Sequence, residues 1–171
     1  MKLIITSDSH GLTDELMDLV KRHQDADAFI HCGDSELTPD SSQMAPYIAV
    51  KGNCDFRGDF PEFVVKSLEG LNVFVTHGHL VGVKQSPMNL IYKALEQEAQ
   101  IACFGHTHVA VAFKEGNCVF INPGSLLLPR NSAYRTYVVC DVSPDHKEIN
   151  VQYMDIHGQP VDEFSNSFTL E

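Results

Sequence analysis

Five short apolar runs in this chain each stop at a polar cluster rich in Asp, Asn and His, and that recurrence constrains the fold more than any other feature. The clusters are Asp8-Ser9-His10, Gly33-Asp34, Gly52-Asn53, His77 and Gly105-His106-Thr107-His108. Short continuous apolar runs bounded by turn residues read as buried strands. In an α/β sheet, ligands gather beyond the carboxyl ends of the strands, so the five clusters are expected to converge on one site. One such cluster alone would read as turn chemistry, because turns also require Asp, Asn, Ser and Gly. Five in one chain shift the balance.

Between the clusters, Leu12, Leu16, Leu19, Val20 and His23 recur at helical spacing, with Thr13 as N-cap and Asp14 and Glu15 near the positive end of the dipole. Residues 26–30 and 47–50 predict further strands, and residues 62–77 a hairpin turning at Glu69-Gly70. Ser86-Pro87 is the expected cap and first-turn pair of a second helix whose apolar positions are Met88, Ile91 and Leu95. Residues 101–104 predict a strand, and residues 109–113 and 118–121 a hairpin closed by Asn122-Pro123-Gly124-Ser125. Residues 134–142 and 149–154 read as a last β pair, and the polar tail from His157 is expected to carry little structure. Strand, helix, strand and strand imply an α/β sheet with crossovers. No repeat or linker divides the chain, so residues 1–171 are expected to form a single domain.

Twelve Lys plus Arg stand against 23 Asp plus Glu, a formal charge of −11, which argues against long nucleic acid as a partner. No apolar run reaches the roughly 18 residues of a membrane span, and the polar cluster at residues 7–10 comes too early for a signal peptide. The expected setting is the cytoplasm, without membrane contact. Five cysteines without a C-x-x-C pair do not make a disulfide framework. Cys32, Cys103, Cys118 and Cys140 lie in or beside apolar runs as small hydrophobes, whereas Cys54 sits in a polar cluster.

Asp8, His10, Asp34, Asn53, His77, His106 and His108 offer carboxylate, imidazole and amide donors, a mixture that suits borderline divalent ions such as Mn, Fe, Zn, Co or Ni. Calcium or magnesium would not need four histidines. There is no Gly-Lys pair of a phosphate-binding loop, no H-E-x-x-H and no G-x-S-x-G. His77-Gly78-His79 begins like the zinc hydrolase signature H-x-H-x-D-H, but Val81 and Gly82 stand where its Asp and His should follow.

The ordered series D-x-H, G-D, G-N, H and G-H-x-H resembles the calcineurin-like metallophosphoesterase superfamily. Gly52-Asn53-Cys54-Asp55, Thr76-His77-Gly78-His79, Gly105-His106-Thr107-His108 and Asn122-Pro123-Gly124-Ser125 resemble its small YfcE-like phosphodiesterase branch, over about residues 1–155. The resemblance implies a four-layer αββα sandwich of two mixed β-sheets flanked by helices, with two divalent metal ions at its edge. Manganese is the first expectation, with Ni, Zn, Fe or Co as alternatives. Asp8, His10 and His108 would bind the first ion, Asn53, His77 and His106 the second, and Asp34 would bridge them. Two ions about 3.5–4 Å apart need a shared anion, which a carboxylate and a hydroxide can supply. The implied activity is hydrolysis of a small or nucleotide-like phosphodiester by in-line attack of the metal-bridging hydroxide, with Asp34 and Asn53 in the catalytic set.

In much of the superfamily a histidine follows the G-N pair and helps protonate the leaving group; Cys54 occupies that position here. A thiol with a reference pKa of about 8.5 is mostly protonated at neutral pH and could donate, although a structural Cys54 is the preferred reading. His79 is the other candidate acid, or a group that orients His77. His31 reads as a locally hydrogen-bonded strand end, and His23, His146 and His157 as surface residues. Asp55 reads equally well as the orienter of the Asn53 loop or as a turn cap, and Lys51, Arg57 and Arg130 as solvated cations near the motif loops. The rival reading is an interaction module that keeps the fold without useful catalysis, like the similar scaffold subunit of the eukaryotic retromer. Retention of all seven donors speaks against it, and the donor set is unlike a closed structural site rich in Cys. Members of the family are often dimers or larger, and a homo-oligomer stays open.

Overall fold

In the first strand, β1 (Lys2–Thr6), successive side chains point to opposite faces, and all but Lys2 are buried. Leu3 and Ile5 enter one apolar cluster, while Ile4 enters another with Leu16 and Leu19 of helix α1 (Asp14–Arg22). A strand buried on both faces needs a layer on each side. The computed structural model, which describes residues 1–130 and 132–171, supplies them.

Strands β2 (Ala28–His31) and β3 (Tyr47–Ala49) continue from β1 in parallel, with Ile4 opposite Phe29 and Ile30 opposite Ile48. The hairpin expected about Glu69-Gly70 is β4 (Phe63–Leu68) and β5 (Leu71–Thr76), followed by α2 (Met88–Glu96) and β6 (Ile101–Cys103). A second hairpin joins β7 (Ala110–Glu115) to β8 (Cys118–Pro123), and β9 (Thr136–Val142) pairs antiparallel with β10 (Glu148–Asp155). With β11 (Asn166–Thr169), the six-stranded sheet runs β11-β10-β9-β1-β2-β3, and the five-stranded sheet runs β4-β5-β6-β8-β7. Both mix parallel and antiparallel pairs. One apolar cluster lies between the sheets and one between each sheet and its helix, so the layers read α1, sheet, sheet, α2. This is the expected αββα sandwich, with one helix on each flank.

Thr13 is the N-cap of α1 as expected, with its backbone already in the helical region and no capping bond from its hydroxyl. Three local expectations need correction. In α2 it is Pro87 that sits at the N-cap, and Ser86 Oγ accepts from Met88 N at 3.2 Å. The face of α2 that packs on the sheet is Leu90, Ile91 and Ala94; Met88 and Leu95, roughly 100° from the centre of that face at 3.6 residues per turn, are exposed. The tail beyond His157 also has structure: Phe168 pairs with Ile149 across β10 and β11, and Val161 and Leu170 are buried. Its polar residues face solvent along an edge strand, which hid the strand in the composition.

Strands β1, β2 and β3 in one sheet and β5 and β6 in the other each end shortly before one of the five polar clusters. The two sheets are tied together along that edge by His77 Nδ1–H donating to Cys32 O at 2.7 Å and His106 N–H donating to Asp8 Oδ2 at 3.1 Å.

Candidate metal centre

The loops leave the strands through an unusual backbone. Asp8, His10, Asp34, His106 and His108, five of the seven candidate ligands, have φ between 44° and 68°, in the left-handed region. Non-glycine residues rarely adopt it, and each costs about 1–3 kcal/mol when surrounding structure must hold it there. Gly33, at φ 97°, lets the β2 loop pass where a Cβ would stand 2.8 Å from His77 Nδ1. At Gly105 a side chain would collide with the Ser7 hydroxyl and the Asp8 carboxylate.

Three imidazoles are oriented by one device. Nδ1–H of His77 donates to Cys32 O, that of His108 to Leu128 O at 2.7 Å, and that of His10 to Glu36 Oε1 at 2.6 Å. In each ring Nε2 is left for other work. His77 Nε2 stands 3.2 Å from Asn53 Oδ1, 3.4 Å from Asp34 Oδ2 and 4.0 Å from Asp8 Oδ1, and His108 Nε2 stands 3.0 Å from Asp8 Oδ1. His10 Nε2 and His79 Nδ1 are buried without a hydrogen-bond partner. Donor atoms of Asp8, His10 and His108 form one tight group and those of Asp8, Asp34 and His77 another, each within 4.8 Å, so the two share Asp8. His106 completes the ring of side chains, 5.1 Å from His77 between centroids.

The charges are strongly coupled. Burial would raise the Asp8 carboxyl, but the hydrogen bond from His108 and the charges of His77 and His108 hold it low. Burial opposes ionisation of Asp34 too, and His77 together with the Cys54 N–H brings it well below the usual carboxylate range. His77 is raised: burial would lower it, and the Asp34 hydrogen bond with the charges of Asp8 and Asp34 outweighs burial. Asp8 raises His108. In the metal-free chain the carboxylates thus draw protons onto nitrogens that face inward, the positions a divalent cation would claim by displacing them. Carboxylate, imidazole and amide donors with two orphaned buried atoms fit such an ion.

Asp55 answers the question its sequence context left open. Buried, it accepts from Asp34 N at 2.8 Å and Gly52 N at 2.7 Å through Oδ2, and from Glu36 N at 2.7 Å and Ser35 Oγ at 3.3 Å through Oδ1. It ties the Asp34 loop to the Asn53 loop. On the other side, Ser125 Oγ donates to Asp8 O at 2.7 Å, and Asn122 Nδ2 donates to Gly105 O and Thr107 Oγ1, both at 3.0 Å. The Asn122–Ser125 segment therefore braces the Asp8 and His106 loops, where the sequence showed only turn chemistry. Glu36, the partner of His10, carries no spacing signal.

Cys54 lies at this edge with its thiol pushed up to about 11 by burial and the Asp34 charge, so it is protonated at neutral pH. His79 packs 5.2 Å from His77 between centroids, and burial followed by the His77 charge lowers it. His23 is not a plain surface residue: its Nε2 lies 2.9 Å from Tyr137 Oη.

His31 is fully buried behind the centre, with Gly33 N–H donating to Nδ1 at 3.2 Å and Nε2–H donating to Ser9 Oγ at 2.9 Å. That arrangement uses the neutral ring, and burial pushes the pKa down to about 4. Between pH 4 and the unfolded value of about 6.5 the unfolded chain takes up a proton that the native ring refuses, so stability falls as pH drops through that window, by about 3 kcal/mol in all. His31→Gln is expected to flatten this acid loss in urea titrations between pH 7 and pH 4.5; equal losses in both proteins would show that His31 does not carry it.

Residues 1–145 match the calcineurin-like phosphoesterase superfamily domain. The probable metallophosphoesterase YsnB of Bacillus subtilis strain 168 is 41% identical over 171 residues, spanning 99% of this chain and 100% of the relative. The phosphodiesterase YfcE of Escherichia coli K12 is 36% identical over 102 residues, 55% of this chain and 52% of its own. The crystal structure of a conserved uncharacterized protein, a predicted phosphoesterase from Streptococcus pneumoniae TIGR4, superposes with a TM-score of 0.94 at 34% identity, over 98% of this chain and 97% of that one. Ordered motifs, a two-sheet sandwich and these matches agree: the chain belongs to the calcineurin-like phosphoesterase superfamily.

Proposed function

We propose that the protein is a metal-dependent phosphodiesterase, a single catalytic domain acting on a small or nucleotide-like phosphodiester. The observation that carries this reading is the set of three imidazoles anchored through Nδ1 with Nε2 turned toward Asp8, Asp34 and Asn53, beside two buried atoms left without partners. Asp8, His10 and His108 would hold one divalent ion, Asn53, His77 and His106 a second, with Asp34 shared. When bound, such a pair supplies Lewis acidity toward the phosphoryl oxygens and a water acidic enough to attack phosphorus at neutral pH. The chain's own part is preorganisation. Asp34 and Asp8 stay ionised, the anchored rings cannot rotate away, and Asp55 keeps the two ligand loops in register. In the metal-free chain Cys54, a thiol on the rim, is protonated at neutral pH, the state from which it can give a proton. The similarity to a phosphodiesterase supports diesters over monoesters.

The test is hydrolysis of an activated aryl phosphodiester and the matching monoester, after chelation and again with added Mn²⁺. Chelation is expected to abolish turnover, Mn²⁺ to restore it, and the diester to be preferred. No turnover with Mn²⁺, Ni²⁺, Co²⁺ or Zn²⁺, in protein shown to bind metal, would overturn the reading in favour of an interaction module.

A further inference from the structure

Two cavities flank the candidate metal centre, and their charges differ. One, of about 270 Å³, is lined by Gly11, Glu36, Cys54, Phe56 and Arg57, with one acid and one base. The other, of about 420 Å³, is lined by Lys84, His106, Thr107, His108, Val109 and Arg130, with two permanent cations and no acid. Among the described residues no carboxylate lies within 4 Å of either cation. In a chain of formal charge −11, two uncompensated cations opening onto candidate ligands make a local positive field. Arg130 is rooted on the ligand loop, its N–H donating to His108 O at 2.9 Å.

A phosphodiester has two arms, and these walls would treat them unequally. We propose that the site selects a diester one of whose arms carries a second anionic group, such as a phosphate, held by Lys84 and Arg130; this rests on the phosphodiesterase reading. Both cations can donate charge-assisted hydrogen bonds to phosphoryl oxygens, Arg130 in pairs. The charge-balanced cavity beside Cys54 offers no such preference.

Two diesters that share one leaving arm test this: 4-nitrophenyl 3-hydroxypropyl phosphate and 4-nitrophenyl 3-(phosphonooxy)propyl phosphate. In each, water's oxygen bonds to phosphorus, the bond to the nitrophenyl oxygen breaks, 4-nitrophenolate leaves and water's two protons pass to solvent. With Mn²⁺-loaded protein, kcat/KM is expected to be about tenfold higher for the phosphorylated arm, and the preference to shrink as salt rises. Calorimetry should show the corresponding bisphosphate product binding more tightly than 3-hydroxypropyl phosphate. Lys84→Met and Arg130→Met should each reduce both preferences, whereas Lys66→Met on β4 should leave them as in the parent. Equal kcat/KM and equal binding in the parent, or preferences that survive both substitutions, would overturn the proposal. No turnover of either diester by protein shown to bind Mn²⁺ would instead remove the phosphodiesterase reading beneath it.

Discussion

Asp34→Asn is expected to cut turnover by about three orders of magnitude, the scale of several kcal/mol of charge stabilisation at a transferring phosphoryl group. The change keeps shape and removes charge. Asp34 Oδ1 accepts from Cys54 N at 2.7 Å while Oδ2 faces His77 Nε2 at 3.4 Å. An amide can satisfy one of these sides, but it cannot supply the anion that the proposed pair of cations would share. Calorimetry should therefore show both divalent ions binding more weakly, not one of the two, while thermal unfolding of the metal-free variant stays close to that of the parent. Turnover retained at saturating metal would remove Asp34 from the shared position. In that event Asp8, which belongs to both groups of donors, becomes the residue to test.

Asp55→Asn is the second large effect, and it acts at a distance from any ion. Four groups donate to the Asp55 carboxylate, three of them backbone N–H groups. With an amide in its place, an NH₂ must confront at least one of these donors, and a buried donor without an acceptor costs about 1–3 kcal/mol. We expect a loss of about 3 kcal/mol, together with the weakened bonds to the remaining oxygen. In a chain of this size that is about 10 °C in Tm. Because the bonds position Asp34 and the Gly52-Asn53 turn, divalent metal affinity should fall by about 10- to 100-fold as well. A variant within about 0.5 kcal/mol of the parent would mean that water replaces the carboxylate without strain.

The candidate site was legible in the sequence because its residues stand at the ends of strands whose apolar runs are short and continuous. Ile4-Ile5 and Phe29-Ile30 announce strands, and the polar residues just beyond each pair announce chemistry. The two-sheet fold itself came from resemblance, since nothing in the spacing of β4 or β7 says which sheet they join. Asp55 stayed ambiguous because its four partners lie in two loops, three at Asp34, Ser35 and Glu36 and one at Gly52, and a carboxylate in a turn looks the same whether it serves one loop or two. The bracing role of Ser125 was hidden for the same reason: its acceptor, Asp8 O, is 117 residues away. On α2, Met88 and Leu95 satisfied an apolar count but lay off the face set by Leu90, Ile91 and Ala94. In β11 alternation was diluted by Asn166, Ser167 and Thr169 on an edge where polar side chains are at home.

The left-handed backbone at Asp8, His10, Asp34, His106 and His108 sets thermal endurance against use. Glycine at any of these positions would relax the main chain and remove a donor in the same step. Selection for heat resistance alone would therefore erode this edge of the sandwich before it touched the β-sheets. Aspartate or histidine at all five positions keeps the donor atoms and forgoes that relaxation.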